Sequence, residues 1–166
     1  SIDDRPSFVM KRNRIGDWEG DTVESSGHKP GLNTLVERKT GFLLLTKLAA
    51  KTSSATTQVV EHRLANLPNH AKHTLTLDNG SENSDWQGIE AKTGLHCYYA
   101  HAYHSWERGT NENTNGLIRE YFPKKTDFTI IPDEDIAIIE HKLNTRPRKR
   151  LNYLTPLEAF GVALEG

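Results

Sequence analysis

The 166-residue chain contains a single cysteine, Cys97, so no disulfide can form within it and a disulfide-stapled scaffold is excluded. A lone thiol fits a reducing compartment, where the Asn79-Gly80-Ser81 glycosylation sequon has no meaning. Long apolar runs are missing: "FLLL" and "IAII" fall far short of the ~20 residues that span a bilayer. No basic stretch followed by an apolar one opens the chain, so no signal peptide is expected. Repeats, low-complexity tracts and Pro/Gly/Ser linkers are absent, which leaves one domain with a sizeable core. Neither sign of charge is in excess. The net charge of −1 by itself argues against a nucleic-acid partner. The first residue is not Met, and the chain is expected to be a piece of a longer protein.

The charge that is present is unevenly placed. "RPSFVMKRNR" near the start and "HKLNTRPRKR" near the end are basic, with a neutral to acidic middle. Alternating polarity predicts strands in "IGDWEGDTVES", "NTLVERKT" and "FLLLTKLAA", the last two joined by a hairpin at "RKTG". "SSATTQVVEHRLANLP" reads as a helix capped by Ser53 or Ser54 and stopped by Pro68. A short buried strand, "HTLTLDNG", follows, then a helix closed by Gly94, a strand at "HCYYAHAY", and helices around "NENTNGLIREYF" and "DEDIAIIEHKLN". The order β-β-β-α-β-α-β-α-α predicts an α/β fold with a five-stranded mixed sheet and helices on both faces. Trp18 and Trp86 are assigned to the core, and Trp106 to the core or to a stacking platform.

Three sets of acidic residues stand out. Asp17, Glu19 and Asp21 are two apart and share one face of the first strand. Crowded carboxylates repel unless a cation or water separates them, and strand geometry does not choose among the three. On the fourth strand Thr74, Thr76 and Asp78 share a face, and Asp78 sits at the carboxyl end, where open α/β sheets bind ligands. "TLTLDNGSEN" is equally good turn chemistry. If the first and fourth strands are neighbours, Asp21 and Asp78 come within reach of one metal ion. In the helix after "HSWERG", Thr110 or Asn111 is the expected cap. Glu112, Asn115, Gly116 and Arg119 then share one side. Gly116 costs that helix about 1 kcal/mol relative to Ala and suggests close approach by another group. Two aspartates and a glutamate suit magnesium, and a pair of such ions activates phosphodiester attack.

"WEGDT", "TLDNGSE", "SWERGTNENTNGLIREYFPK" and "LNTRPRKRLNYLTPLEAF" resemble the IS-thirty family of bacterial insertion-sequence transposases, from about residue 14 to residue 160. That family lies within the DDE transposase and retroviral-integrase superfamily. The resemblance implies an RNase H-like catalytic core over residues 14–166, preceded by a basic extension, 1–13. It implies Asp21, Asp78 and Glu112 as catalytic and metal-binding residues, with 33 residues between the last two. Glu107, 28 residues beyond Asp78, is the competing third carboxylate. The implied activity is DNA strand cleavage and strand transfer with two Mg2+ or Mn2+ ions. The implied partners are the transposon ends and the target DNA, bound by a homo-oligomer without a membrane, in the bacterial cytoplasm and on the nucleoid. Family members carry an N-terminal helix-turn-helix region, to which nothing in this sequence corresponds.

Asn115, Arg119, Arg146, Arg148, Lys149 and Arg150 are the candidate DNA contacts. His96, Cys97, His101 and His104 match no zinc spacing. Two rival readings stay open at this point. One is a two-metal RNase H-like nuclease without strand transfer; the other is a non-catalytic DNA-binding module from a decayed mobile element.

Overall fold

The computed structural model describes residues 1–101 and 109–166; the side chains of Met10, Asn111 and Glu112 are also outside its description. Its strands are β1 (Asp17–Val23), β2 (Leu32–Glu37), β3 (Leu43–Lys47), β4 (Thr74–Leu77) and β5 (His96–Tyr99). Its helices are α1 (Ser53–Leu64), α2 (Trp86–Thr93), α3 (Gly109–Tyr121), α4 (Asp133–Asn144) and α5 (Pro156–Glu165). The sheet order is β3-β2-β1-β4-β5. β1, β2 and β3 form an antiparallel meander, while β4 pairs in parallel with β1 and with β5. Parallel neighbours need a crossover, and α1 and α2 supply the two.

Alternation along the strands builds a core on each face. Trp18, Leu35, Leu44, Leu75 and Leu77 face one way, onto Val60 and Leu64 of α1, Ile89 of α2 and Phe160 of α5. Val23, Leu32, Val36, Leu43 and Leu45 face the other way, onto Ile118 and Phe122 of α3 and Ile136, Ile139 and Leu143 of α4. The expected mixed sheet with helices on both faces is therefore the observed one. Trp18 is fully buried and its indole N–H donates to the Ala71 carbonyl at 2.8 Å, so its polar edge is satisfied.

Several local expectations need correction. Trp86 is not core: it opens α2 and is 39% exposed, because the Asp85 cap turns Ile89 inward instead. The cap of α1 is Thr52, whose hydroxyl accepts from Ala55 N. That helix ends at Leu64, before Pro68 is reached. α3 starts at Gly109, ahead of both expected caps. The pattern reading had no place for α5, although "TPLE" is its signature. Thr155 accepts from Glu158 N, Glu158 accepts from Thr155 N, and Pro156 occupies the first turn. Phe160 then stacks on Phe42 at 4.4 Å and meets Trp18 edge-on at 5.9 Å.

The first thirteen residues pack on the sheet. Ile2 and Val9 are buried, and Arg5 Nη1 donates to Thr76 Oγ1 at 3.0 Å across the α3/α4 face of β4. Among the described residues, no helix is long and apolar enough to cross a membrane.

The β1–β2 connection is stitched to the α3–α4 connection. Ser26 N donates to Thr126 O, Phe128 N to Ser25 Oγ, and Lys29 Nζ to Asp127 Oδ2 at 2.7 Å. Hydrogen bonds from Lys29 and Thr129 push the Asp127 carboxyl from 3.8 down to about 2. A depressed carboxyl contributes stability that is complete above its ordinary value and lost as pH falls towards the folded one. Asp127→Asn is expected to melt earlier than wild type in urea near neutral pH. The gap should close as pH falls from about 4 to about 2; a gap independent of pH would assign the loss to something other than this pair.

Candidate active site

The geometry begins with the register of β1 on β4. Asp17 pairs with Thr74 and Glu19 with Thr76, and the same offset of 57 residues relates Asp21 to Asp78 at the carboxyl ends. The three carboxylates of β1 meet different surroundings. Asp17 is 1% exposed and accepts two bonds from Arg14, at 2.9 and 3.0 Å, and one from Thr74 Oγ1 at 2.8 Å. Glu19 is fully buried and accepts from Arg38 Nη1, itself buried. Asp21 is half-buried and opens into a cleft. The guanidinium cations of Arg14 and Arg38 thus hold Asp17 and Glu19 in place.

The cleft encloses about 220 Å³ and is lined by Asp21, Asp78, Glu24 and Glu82, together with Lys29 and Lys51. Asp78 directly follows β4. Its Oδ1 accepts from Gly80 N at 2.8 Å and from Asn83 Nδ2 at 2.7 Å, so it shapes the turn and lines the cleft at once. A Cβ at Gly80 would lie 2.9 Å from that oxygen, which is why glycine stands there. The Asn83 carbonyl accepts in turn from the Tyr99 hydroxyl of β5. Burial first, then nearby acidic groups, push that phenol up to about 12, so it remains a donor. Asn79 donates to Ala100 O at 3.1 Å, bracing the same turn from β5's end.

Asp21 is held from two directions. Its Oδ1 accepts from Thr22 N at 2.9 Å, and its Oδ2 from Asn115 Nδ2 of α3, also at 2.9 Å. Asn115 therefore contacts a carboxylate that lines the cleft. Glu112 is in the first turn of α3, three positions before Asn115 and so on the same flank; its side chain lies outside the described residues. Glu107, His104 and Trp106 lie outside them altogether. Gly116 has open space where a Cβ would stand, so the expected close approach is not found among the described residues.

The expected DNA contacts divide. Arg119 donates to the carbonyls of Phe122, Pro123 and Glu24, closing the end of α3 onto the end of β1. Arg146 donates to the Tyr121 hydroxyl and pairs with Glu120 at 3.5 Å. Arg148 and Arg150 line a second cleft, and Lys149 is exposed. Arg38, which holds Glu19, and Asn83 and Tyr99, which hold the Asp78 turn, are supports that sequence reasoning missed. Arg38 lies inside "RKTG", which shows only as a hairpin, and Asn83 inside "DNGSEN", which shows only as a turn.

Among the described residues, no three His, Cys, Asp or Glu side chains gather into a metal-holding group. Asp21 and Asp78 lining one cleft nonetheless form the hard-oxygen donor set that magnesium prefers.

No protein-family model matches the chain. It is 44% identical over 159 residues to the transposase for insertion sequence element IS4351 of Bacteroides fragilis, covering 96% of this chain and 48% of that one. It is 37% identical over 165 residues to the transposase InsI for insertion sequence element IS30A of Escherichia coli K12, covering 98% of this chain and 43% of that one. The chain thus spans about half the length of the curated relatives it matches. In fold it is similar to a chain of the simian T-cell lymphotropic virus intasome in complex with PP2A regulatory subunit B56 gamma. The TM-score is 0.62 and the identity 21%, covering 79% of this chain and 49% of that one. The expected RNase H-like, integrase-type architecture is the one found.

The two kinds of carboxylate are separable by stability. Arg38→Met removes the buried guanidinium from which Glu19 accepts and should cost about 3–5 kcal/mol in urea melts. Asp21→Asn and Asp78→Asn retain an Oδ1 acceptor and should cost no more than about 1 kcal/mol each. A loss in Asp78→Asn as large as that in Arg38→Met would make Asp78 a structural residue.

Proposed function

Since the chain belongs to the IS-thirty family of insertion-sequence transposases, of whose curated members it spans about half, we propose that it is their catalytic core. In this reading it is a divalent-metal-dependent polynucleotidyl transferase. It cleaves a DNA strand at the element's end and joins the freed 3′ hydroxyl to another strand. The observation that carries the reading is the β1–β4 register, which brings Asp21 and Asp78 to one cleft, with Asn115 of α3 donating to Asp21.

Asp21, Asp78 and Glu112 are the residues to hold two magnesium or manganese ions. Such a pair, when bound, activates the attacking oxygen and stabilises the leaving one. The chain's own contribution is positioning. Gly80 N and Asn83 fix the Asp78 carboxylate, Tyr99 fixes Asn83, and Asn115 fixes Asp21. Asn115 is thus assigned to orienting a metal ligand instead of touching DNA. Lys51 supplies positive potential on the cleft wall for a phosphodiester. Arg146, Arg148, Lys149 and Arg150 serve the DNA backbone, and Arg119 acts indirectly by holding α3 against β1. The partners are the transposon ends and the target DNA, engaged by a homo-oligomer in the bacterial cytoplasm.

The test uses labelled duplexes ending in the element's inverted repeat, with magnesium or manganese. Asp21→Asn, Asp78→Asn and Glu112→Gln should each lower cleavage and strand transfer by more than about 100-fold. Asn83→Ala and Asn115→Ala, which only orient ligands, should lower both by about 10–100-fold. Nicked ends without joined products would convert the reading to a hydrolytic nuclease. Full activity in Asp78→Asn would remove the cleft from the chemistry.

A further inference from the structure

α3 touches the carboxylate cleft through Asn115, which donates to its lining residue Asp21, and itself lines a second cleft. Asn115 and Arg119 lie on the flank towards the carboxylates, whereas Thr110, Asn113 and Leu117, spaced three and four apart, lie on the opposite flank. The second cleft encloses about 250 Å³ and is lined by Arg12, Arg148 and Arg150 with Thr40, Thr110 and Asn113. No carboxylate is among its described lining residues.

Its positive charge is poorly compensated. Burial and the nearby Arg38 and Arg150 lower the Arg12 pKa, opposed by Glu19, which is already paired with Arg38. Burial, Arg146 and Arg150 lower that of Arg148, opposed by Glu120, which pairs with Arg146. Two donors are stranded there: among the described residues, neither Arg12 Nε nor Thr110 Oγ1 has a hydrogen-bond partner, although both atoms are buried. Thr110 as a whole is only 9% exposed. A buried donor left unsatisfied costs about 1–3 kcal/mol, and a tetrahedral oxyanion between guanidinium groups would satisfy both. The neighbouring hydroxyls are already used, Thr40 on Glu37 and Thr114 on the Thr110 carbonyl, so Thr110 is the hydroxyl left to serve a ligand.

We propose that this second cleft is a phosphate site, formed by Arg12, Arg148, Arg150 and Thr110, that holds a backbone phosphate of the DNA strand entering the carboxylate cleft. The choice of DNA as the phosphate's source rests on the transposase reading; the phosphate site itself does not. Exposed Gly116, with open space above it, lies on the ridge of α3 between the two clefts and lets a strand cross there. The site also joins the basic segment near the start of the chain to the one near its end, since Arg12 and Arg150 line the same cavity.

The test uses the whole chain without metal. Inorganic phosphate is titrated while backbone amide resonances are followed by NMR. Saturable shifts are expected at Thr40, Gly41, Asn113 and Arg150. Thr110→Val should weaken phosphate binding about threefold to tenfold, and Arg148→Gln at least about tenfold, with melting curves showing that both variants are folded. If either fails to fold, Arg12→Gln replaces it. In parallel, duplex affinity is measured against salt, and Arg148→Gln should reduce the log–log slope by about one. Absence of saturable shifts, or equal phosphate affinity in the folded variants, overturns the site. Weakened phosphate binding with an unchanged slope makes it a free-anion site and overturns the DNA assignment. Failure of strand transfer would leave the titration and the slope as expected, so the two readings fail separately.

Discussion

The parallel pairing of β1 with β4 is the constraint on which the rest depends. Asp17 pairs with Thr74 and Glu19 with Thr76, and the same sequence offset relates Asp21 to Asp78, which lies one residue past the end of β4, as a third row. The first two rows lie in the interior, where a carboxylate survives only if it is paired and hydrogen-bonded. Arg14 and Arg38 meet that requirement, and Arg5 covers Thr76. The third row falls just where the pairing runs out, so its two carboxylates face a cleft. A shift of one residue would turn all three β1 acids onto the Trp18 face, into an apolar core that offers them no partner.

α3 converts that row into a site. Ile118 and Phe122 bury its spine against the sheet, leaving two flanks of different chemistry. One flank brings Asn115 to Asp21, and the other brings Thr110 to a cluster of arginines. Arg119 sets the helix's far end by donating to Glu24 beyond β1, so the strand that carries Asp21 and the helix that carries Asn115 are tied at two points. The proposed phosphoryl transfer would require such bracing of its carboxylates, because that chemistry depends on position more than on covalent chemistry by the protein. Turn chemistry does the same for Asp78: the bonds that make it a turn former also fix its carboxylate in the cleft.

Support reaches the site from distant parts of the chain. The capping box of α5 starts a helix whose Phe160 packs on Trp18, the neighbour of both Asp17 and Glu19. The segment before β1 lies across the sheet and sends Arg5 to β4 and Arg12 to the second cleft. Both ends of the chain are therefore part of the packing around the β1–β4 pair.

Much of this was legible in the residues alone, because the physics involved is local. Alternation marked the first three strands, a short apolar run closed by Asn-Gly marked the fourth, Gly94 marked the end of α2, and a carboxylate after that apolar run marked Asp78. The motifs "WEGDT" and "TNENTNGLIREYFPK" pointed to the family, and "TPLE" carried the start of α5 for anyone counting capping boxes. Other features depend on contacts between residues remote in sequence, and no spacing rule contains those. Glu19 and Asp21 are indistinguishable by period on one strand; Arg38, brought across by β2, occupies the first and leaves the second at the cleft. Trp86 looks as apolar as Trp18, yet the helix phase set by Asp85 turns it outward. Arg148 and Arg150 read as part of a basic stripe until folding lines one cavity with them and with Arg12. Sequence determined which groups were available and the faces they share, since those follow from backbone geometry. Tertiary structure decided which charges were neutralised, because burying a charge demands a partner and only the folded chain supplies one.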